Sequence, residues 1–413
     1  MAERLNATAL KAVGRATPGP WVRIPPPPLA RTLALALALL LWGAGGAAAT
    51  SYAPAKGKAY HGVSDTGRPS EFFEFADQVG AHPAALQAFY HWDTPLTTGA
   101  FYRWARTDTR GVLSLSTAAG EGGERITPQQ IAEGRGDRYM INLGRTIAES
   151  SQVVYIRLMA EMNGHWNPYS AFNADGGARH NGHSTRWFRR AWRRFALIVR
   201  GGSRIEINER LVRMGLPRIL RADSQQDPVY EGGSDGIPLP VPSQMPQPKV
   251  ALMWVPQSFG SPNIAPNQPE DYWPGGRYVD WVGIDIYSKF AGAFDEGKAF
   301  FNRYRRWPFV IGEYGPWDDD HDGSFTGELL RWAEAHNRVK MLLYYRSVST
   351  DNTYNLQHYP GAQKALRNHM AKARWVEYAP GSREVPDPAA PRLNRRPDPA
   401  AAARVPAPSR PTR

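Results

Sequence analysis

The chain has 413 residues, room for one large domain or two ordinary ones, and 42% hydrophobic with 11% aromatic residues supports a sizeable core. With 0 Cys it can form neither disulfides nor thiolate zinc sites, which says little about compartment. The net charge of +12 lies largely at the ends, where Arg4, Lys11, Arg15, Arg23 and Arg31 oppose only Glu3, and seven Arg oppose Glu384, Asp387 and Asp398; a nucleic-acid binder would concentrate charge on its folded part, so that partner class is set aside.

Residues 32–42 form an apolar stretch after Arg31, shorter than the ~20 residues of a bilayer span. Small residues follow, with Ala47 and Ala49 in an A-x-A arrangement. This reads as a signal peptide over residues 1–49, and so as a secreted or extracytoplasmic protein. An N-terminal anchor is the alternative, and the membrane is a partner only if the segment stays uncleaved. From residue 58 onward, apolar runs alternate with helical patterns. Strands are expected at 58–64, 85–92, 111–117, 153–160, 250–256, 281–288, 309–313 and 340–346, and helices at 138–150, 185–200, 294–305 and 326–336. In 185–200, Phe188, Trp192, Phe195 and Val199 recur at helical spacing while the other face is rich in Arg. Near-continuous apolar strands alternating with helices indicate a parallel sheet covered by helices. The expected fold is therefore α/β, a (β/α)8 TIM barrel over residues 50–375. An open doubly wound sheet would want a glycine-rich phosphate turn after its first strand, and His61-Gly62-Val63-Ser64-Asp65-Thr66-Gly67 is not one. Residues 204–248 break the rhythm as an insertion between the fourth helix and the fifth strand. Residues 376–413, rich in Pro, Ala and Arg, are expected to be a disordered tail.

Two glutamates stand out. Glu161 follows the run Val154-Tyr155-Ile156-Arg157-Leu158-Met159-Ala160, and Glu313 follows Pro308-Phe309-Val310-Ile311-Gly312. Each is a carboxylate at the C-terminal end of a buried strand, where barrel active sites lie. Two carboxylates facing one cavity are what hydrolysis of a glycosidic bond needs, one carrying a proton and the other ionised. By strand alternation Arg157, Met159 and Glu161 share a face, as do Gly283, Asp285 and Tyr287. Arg157 and Tyr287 are natural partners for a buried carboxylate, and Arg157 with Asp285 reads first as a structural ion pair inside the barrel. Asn163, Trp166, Trp273, Trp317 and Tyr345 fall in βα loops or at strand ends and are candidate sugar contacts beside Arg157. The 14 Trp fit either sugar stacking or core packing. Asp318-Asp319-Asp320-His321-Asp322 lacks the oxygen-ligand spacing of a calcium loop and reads as a solvated acidic loop; no metal or cofactor is expected.

Three phrases resemble glycoside hydrolase family 26, in that family's order and over residues 58–350. Glu161-Met162-Asn163-Gly164-His165-Trp166 resembles its acid/base phrase, Tyr278-Val279-Asp280-Trp281-Val282-Gly283-Ile284-Asp285-Ile286-Tyr287 its sixth strand, and Ile311-Gly312-Glu313-Tyr314-Gly315 its nucleophile strand. The resemblance implies a retaining β-glycanase on a (β/α)8 barrel, with β-mannan the commonest substrate, Glu161 as acid/base, Glu313 as nucleophile and Tyr287 as the hydroxyl that orients it. The chain departs from the pattern at Ala160, where the family usually carries His, and at Tyr345, where barrel glycosidases often offer Trp. Both departures point away from plain mannan more than from hydrolysis. Two other readings stay open: an enzyme that trims a polysaccharide its own cell is making or exporting, and a sugar-binding barrel without turnover.

Overall fold

A computed structural model describes residues 51–380 except Asp93, Thr97, residues 120–122, residues 220–240, Ala291 and residues 347–352. The expected signal segment, most of the tail and the middle of the insertion lie outside the described residues. Eight parallel strands close on themselves: β1 Ala59–Ser64, β2 Ala85–His91, β3 Arg110–Ser116, β4 Val154–Leu158, β5 Val250–Trp254, β6 Trp281–Tyr287, β7 Phe309–Gly315 and β8 Val339–Tyr344. Each pairs with its neighbours in chain order, and β8 returns to β1 with Tyr60 opposite Met341, so the sheet is a barrel. The α-helices lie between and after the strands, α1 Pro69–Val79, α2 Thr98–Arg106, α3 Pro128–Ala132, α4 Asp137–Ser150, α5 Thr185–Arg200, α6 Arg204–Arg213, α7 Gly292–Arg303, α8 Ser324–Ala335 and α9 Pro360–Met370, and short 3-10 turns alone connect β5 to β6. Among the described residues no helix is long and apolar enough to cross a membrane.

Alternation along the strands sorts the apolar side chains into two layers. Tyr60, Val112, Tyr155, Ala251, Met253, Trp281, Val310 and Met341 fill the barrel. Leu86, Leu113, Ile156, Leu252, Ile284, Ile311 and Leu342 face the helices. Helix α5 shows how the sequence builds the outer layer. Ser184 caps its start by accepting from the Trp187 amide at 3.0 Å, and Phe188, Trp192, Phe195 and Val199 are buried along one face. On another side of the helix the buried Arg194 reaches Asp137 of α4 in an ion pair.

The insertion begins where expected. After α5, Gly202–Ser203 pairs antiparallel with Gln244–Met245, and α6 lies between them in the chain. The tail boundary shifts. Val376 pairs with Tyr60, Ala379 is buried, and Pro380 accepts from Arg110 Nη2 at 2.7 Å, so the barrel's floor extends through residue 380. Composition hid this because the contact uses backbone and one arginine rather than an apolar run.

One buried histidine makes stability pH-dependent. His61 in β1 shares a 2.6 Å hydrogen bond with the Tyr314 hydroxyl, and burial lowers its pKa to about 3. The unfolded chain, with an ordinary histidine near 6.5, takes up a proton below that pH that the folded chain refuses. Stability from this group is therefore full above about pH 6.5 and is lost as pH falls toward 3, by on the order of 5 kcal/mol. Urea unfolding between pH 7 and 4 should show a steeper decline for the wild type than for His61→Phe. Equal slopes would disprove this role.

Candidate active site

The mouth of the barrel collects the charged and aromatic residues that the two layers exclude. Arg157, Asp285 and Tyr287 point inward by strand alternation, continuing the interior positions Tyr155 and Trp281. Glu313 does not follow this rule. Val310 faces in and Ile311 faces out, so a regular strand would aim Glu313 at the helices. The register slips at this point: Ile284 lies opposite Ile311, but Asp285 lies opposite Glu313, leaving Gly312 as an extra residue. This bulge turns Glu313 into the barrel. Only glycine fits at the slip, because a Cβ there would stand 2.7 Å from Asp285 Oδ1 and 2.9 Å from Arg157 Nε.

Glu161 also reaches the site through an irregularity. Strand β4 ends at Leu158, and both Met159 (φ 42°) and Glu161 (φ 52°) adopt the left-handed region that L-residues avoid. Such residues cost about 1–3 kcal/mol each and persist where the surroundings over-determine them. Here the Met159 amide donates to Leu115 O and the Glu161 amide to Val255 O, both at 2.8 Å. The expected shared face of Arg157, Met159 and Glu161 is thus corrected: Met159 packs in the outer layer, while Glu161 turns to the cavity side.

One carboxylate oxygen from each of Glu161, Asp285 and Glu313 lies within 4.8 Å of the others. Arg157 holds two of these acids, through Nη1 to Glu313 Oε1 at 2.5 Å and through Nη2 to Asp285 Oδ2. The Tyr287 hydroxyl donates to Glu313 Oε2 at 2.7 Å. Glu161 accepts from Trp166 Nε1 at 3.0 Å and from the Gln257 side-chain amide, and shares a hydrogen bond with the Asp285 carboxyl; none of its described partners is the Arg157 guanidinium. The two glutamates therefore differ electrically. Burial, and next the charge of Glu313, raise the Glu161 pKa above its ordinary value despite the opposing pull of Arg157. Burial likewise holds Asp285 well above the usual carboxylate range, and burial together with Glu313 keeps Tyr287 a hydroxyl. A divalent cation among the three acids would have to share the space with the Arg157 guanidinium, so protons and Arg157 are the counter-charges this pocket provides.

Two expected sugar contacts are instead buried supports. Arg157, 1% exposed, reaches the cavity only through the carboxylates it binds. Asn163, 0% exposed, accepts from the Gln257 backbone amide at 2.9 Å and donates to the Gln257 and Phe259 backbone carbonyls, both at 3.1 Å. It fastens the β5 loop so that Gln257 meets Glu161. Trp273 is also corrected: it packs against Trp254, Tyr304 and Trp307 at 4.8 to 5.1 Å, on the helix side of β5. Trp166 is 52% exposed beside Glu161. Trp317 and Tyr345 edge onto Tyr287 at 5.6 and 6.1 Å. The acidic loop is not simply solvated, since Asp320 is buried and accepts from the Phe325 and Thr326 amides at the start of α8.

Three supporting residues escaped the reading of the sequence. Gln257 follows Val255-Pro256 at the end of β5, where a polar residue after an apolar strand was the available signal. Gln87, inward on β2, accepts from Arg157 Nη1 at 2.8 Å and donates to Gly312 O at 3.0 Å once its amide is turned to satisfy both. Tyr354, after β8, lies 5.7 Å from the Tyr287 ring and 4.9 Å from that of Tyr345; nothing local in the sequence marks it.

No family model matches the chain, and no curated protein does. Solved structures similar to it include a Bacillus subtilis mannanase, with 14% identity, 80% of this chain and 90% of that chain covered, and a TM-score of 0.46. A GH26 β-mannanase from Bacteroides ovatus has 15% identity, with 78% and 90% covered and a TM-score of 0.46. The GH26 domain of a Prevotella bryantii endo-β-mannanase/endo-β-glucanase has 11% identity, with 78% and 90% covered and a TM-score of 0.47. The chemistry of the site is read from its own side chains.

Proposed function

We propose that the chain is a β-glycosidase that hydrolyses a β-linked polysaccharide with retention of configuration. The observation that carries this reading is the pair Glu161 and Glu313, with carboxylate oxygens within 4.8 Å and unlike surroundings. Retaining enzymes hold their two carboxyl groups about 5–5.5 Å apart, whereas inverting enzymes need about 6.5–9.5 Å to seat a water. Glu313, oriented by Arg157 and Tyr287, attacks the anomeric carbon. Glu161, whose raised pKa keeps a proton available, delivers it to the departing glycosidic oxygen. Glu161 then takes a proton from water, and the resulting nucleophile cleaves the glycosyl–Glu313 ester and frees the sugar. This chemistry uses no cofactor. Purified protein should release reducing sugar from at least one member of a panel of β-mannans, β-glucans and β-xylans, and NMR of the first product should show the β-anomer. Initial release of the α-anomer, or no release from any glycan, would sink the proposal.

The substrate within that class is set partly by Ala160. By the resemblance, a histidine here would reach toward the sugar beside Glu161, a contact that alanine, several heavy atoms shorter, does not make. A missing hydrogen bond to a neutral group is worth roughly 0.5–1.5 kcal/mol, about a tenfold effect. We expect weak activity on plain mannan, raised up to about tenfold by Ala160→His. If unmodified mannan proves the best native substrate, Ala160 is not a specificity determinant.

Export fits an enzyme acting on polysaccharide, and the mature protein is proposed to begin near Thr50. N-terminal sequencing of secreted material should start there. Recovery of residues 32–42 in the membrane fraction would favour the anchor instead.

A further inference from the structure

Glu161 must change its protonation twice in each reaction cycle, and its neighbours decide how readily it does so. In the first step its proton goes to the glycosidic oxygen as the bond to the leaving group breaks and the Glu313 ester forms. In the second, water attacks the anomeric carbon, its proton passes to the Glu161 carboxylate, and the ester bond breaks. Burial and the charge of Glu313 favour the protonated form. A group that holds the ionised form keeps the second role open. Gln257 is placed for this. It follows Val255-Pro256 beyond β5, and one side chain grips its backbone from both sides. The Gln257 amide donates to Asn163 Oδ1 at 2.9 Å, and the Gln257 carbonyl accepts from Asn163 Nδ2 at 3.1 Å. Asn163 belongs to the loop of Glu161, whose own amide donates to Val255 O at 2.8 Å. These bonds stitch the two loops together, and Asn267 Nδ2 adds another by donating to Asn163 O at 2.9 Å. The half-buried Gln257 side chain then donates from Nε2 to Glu161 Oε1, while Trp166 donates to Oε2.

Building on the glycosidase reading, we infer that Gln257 is a positioning residue for the reaction: its side-chain amide holds the Glu161 carboxylate in place and eases release of its proton, so that one carboxyl serves as acid and then as base. In the glycosyl-enzyme Glu313 is an ester and no longer repels, and the donors from Gln257 and Trp166 remain to hold the carboxylate that takes the proton from water. An amide can also turn its oxygen toward a carboxyl hydroxyl, whereas an indole can only donate, so Gln257 serves both forms of Glu161. The charged and titratable groups that act on Glu161 or feel its charge are Arg157 on β4, Asp285 and Tyr287 on β6, Glu313 on β7, and Tyr169 of its own loop, whose hydroxyl donates to Ala160 O at 2.6 Å. Substitution at Gln257 removes none of them, so a change in the titration of Glu161 isolates the amide.

The test follows kcat/KM against pH in wild type, Gln257→Met and Gln257→Lys, on the best substrate among β-mannans, β-glucans and β-xylans, with urea midpoints to verify folding. The alkaline limb reports loss of the Glu161 proton. Methionine keeps the length of the side chain and removes the donor, so the limb should rise by about one pH unit, the worth of a hydrogen bond to a charged group. Lysine sets a cation beside the carboxylate, so the limb should fall. KM should stay near the wild-type value in both. On a dinitrophenyl glycoside, where attack by water is the slow step, the acid limb of kcat should rise in Gln257→Met, because less of the base is ionised. An alkaline limb that stays in place in both variants, or moves the same way in both, overturns the role of Gln257 and leaves the glycosidase reading standing. Loss of the fold in both variants would make Gln257 a scaffold residue and overturns it equally. No hydrolysis of any glycan by the wild type overturns both readings.

Discussion

Glu313→Ala is expected to lower turnover roughly ten-thousand-fold or more on every substrate, natural or activated. The carboxylate that forms the covalent intermediate is gone, and neither Asp285 nor Glu161 can replace it. Asp285 is buried and bound to Arg157, and Glu161 carries the proton. Glu161→Ala should behave differently. On polysaccharide it should lose about 10²- to 10⁴-fold, the range for a positioned general acid. On a dinitrophenyl glycoside the first step needs no proton, so the glycosyl-enzyme should form and then accumulate for want of a base. Added azide, small and already anionic, should enter the space left by the side chain and restore turnover, giving a glycosyl azide of retained configuration. Equal, unrescued losses for both variants on both kinds of substrate would refute these roles.

Arg157→Met is expected to be the most damaging change to the scaffold. Its guanidinium is 1% exposed and bound to both Asp285 and Glu313. Removing one partner of a buried ion cluster leaves a desolvated charge and typically costs about 3–5 kcal/mol. Arg157→Lys should not rescue, because a single ammonium cannot reproduce the fork that spans two carboxylates. Arg157→Met with Asp285→Leu should recover part of the stability by removing the stranded charge, yet stay inactive because Glu313 has lost its orienting donor. Unfolding in urea and kcat on the best substrate separate the two effects. Wild-type stability in Arg157→Met, or restored turnover in the double variant, would contradict this account.

Most of the barrel was legible from one dimension. The eight expected strands all form, with ends within a few residues, because strands buried on both faces read as apolar runs whatever packs on them. Helix α5 matches its expected bounds because its cap, its apolar stripe and its terminal glycine are local signals. Helices α1, α2, α3 and α9 were not anticipated; short or capped by Pro rather than by a strong periodic run, they draw their stability from the sheet they cover.

The sequence by itself determined which strands form and that Glu161 and Glu313 end two strands of one barrel, since hydrophobic patterning and strand-end position are local properties. Only the tertiary structure decided how those glutamates face each other. Alternation, taken strictly, would point Glu313 at the helices and place Met159 in the barrel. A bulge at Gly312, selected by the close approach of Asp285 and Arg157, reverses the first. Two left-handed residues, held by the Leu115 and Val255 carbonyls of neighbouring strands, reverse the second. The same holds for Arg157 and Asn163, whose residue types suggest sugar contact but whose burial makes them supports, and for Trp273, which packs on the helix side of the barrel. Burial and backbone slip depend on partners distant in the chain, and a single strand's sequence carries no record of them.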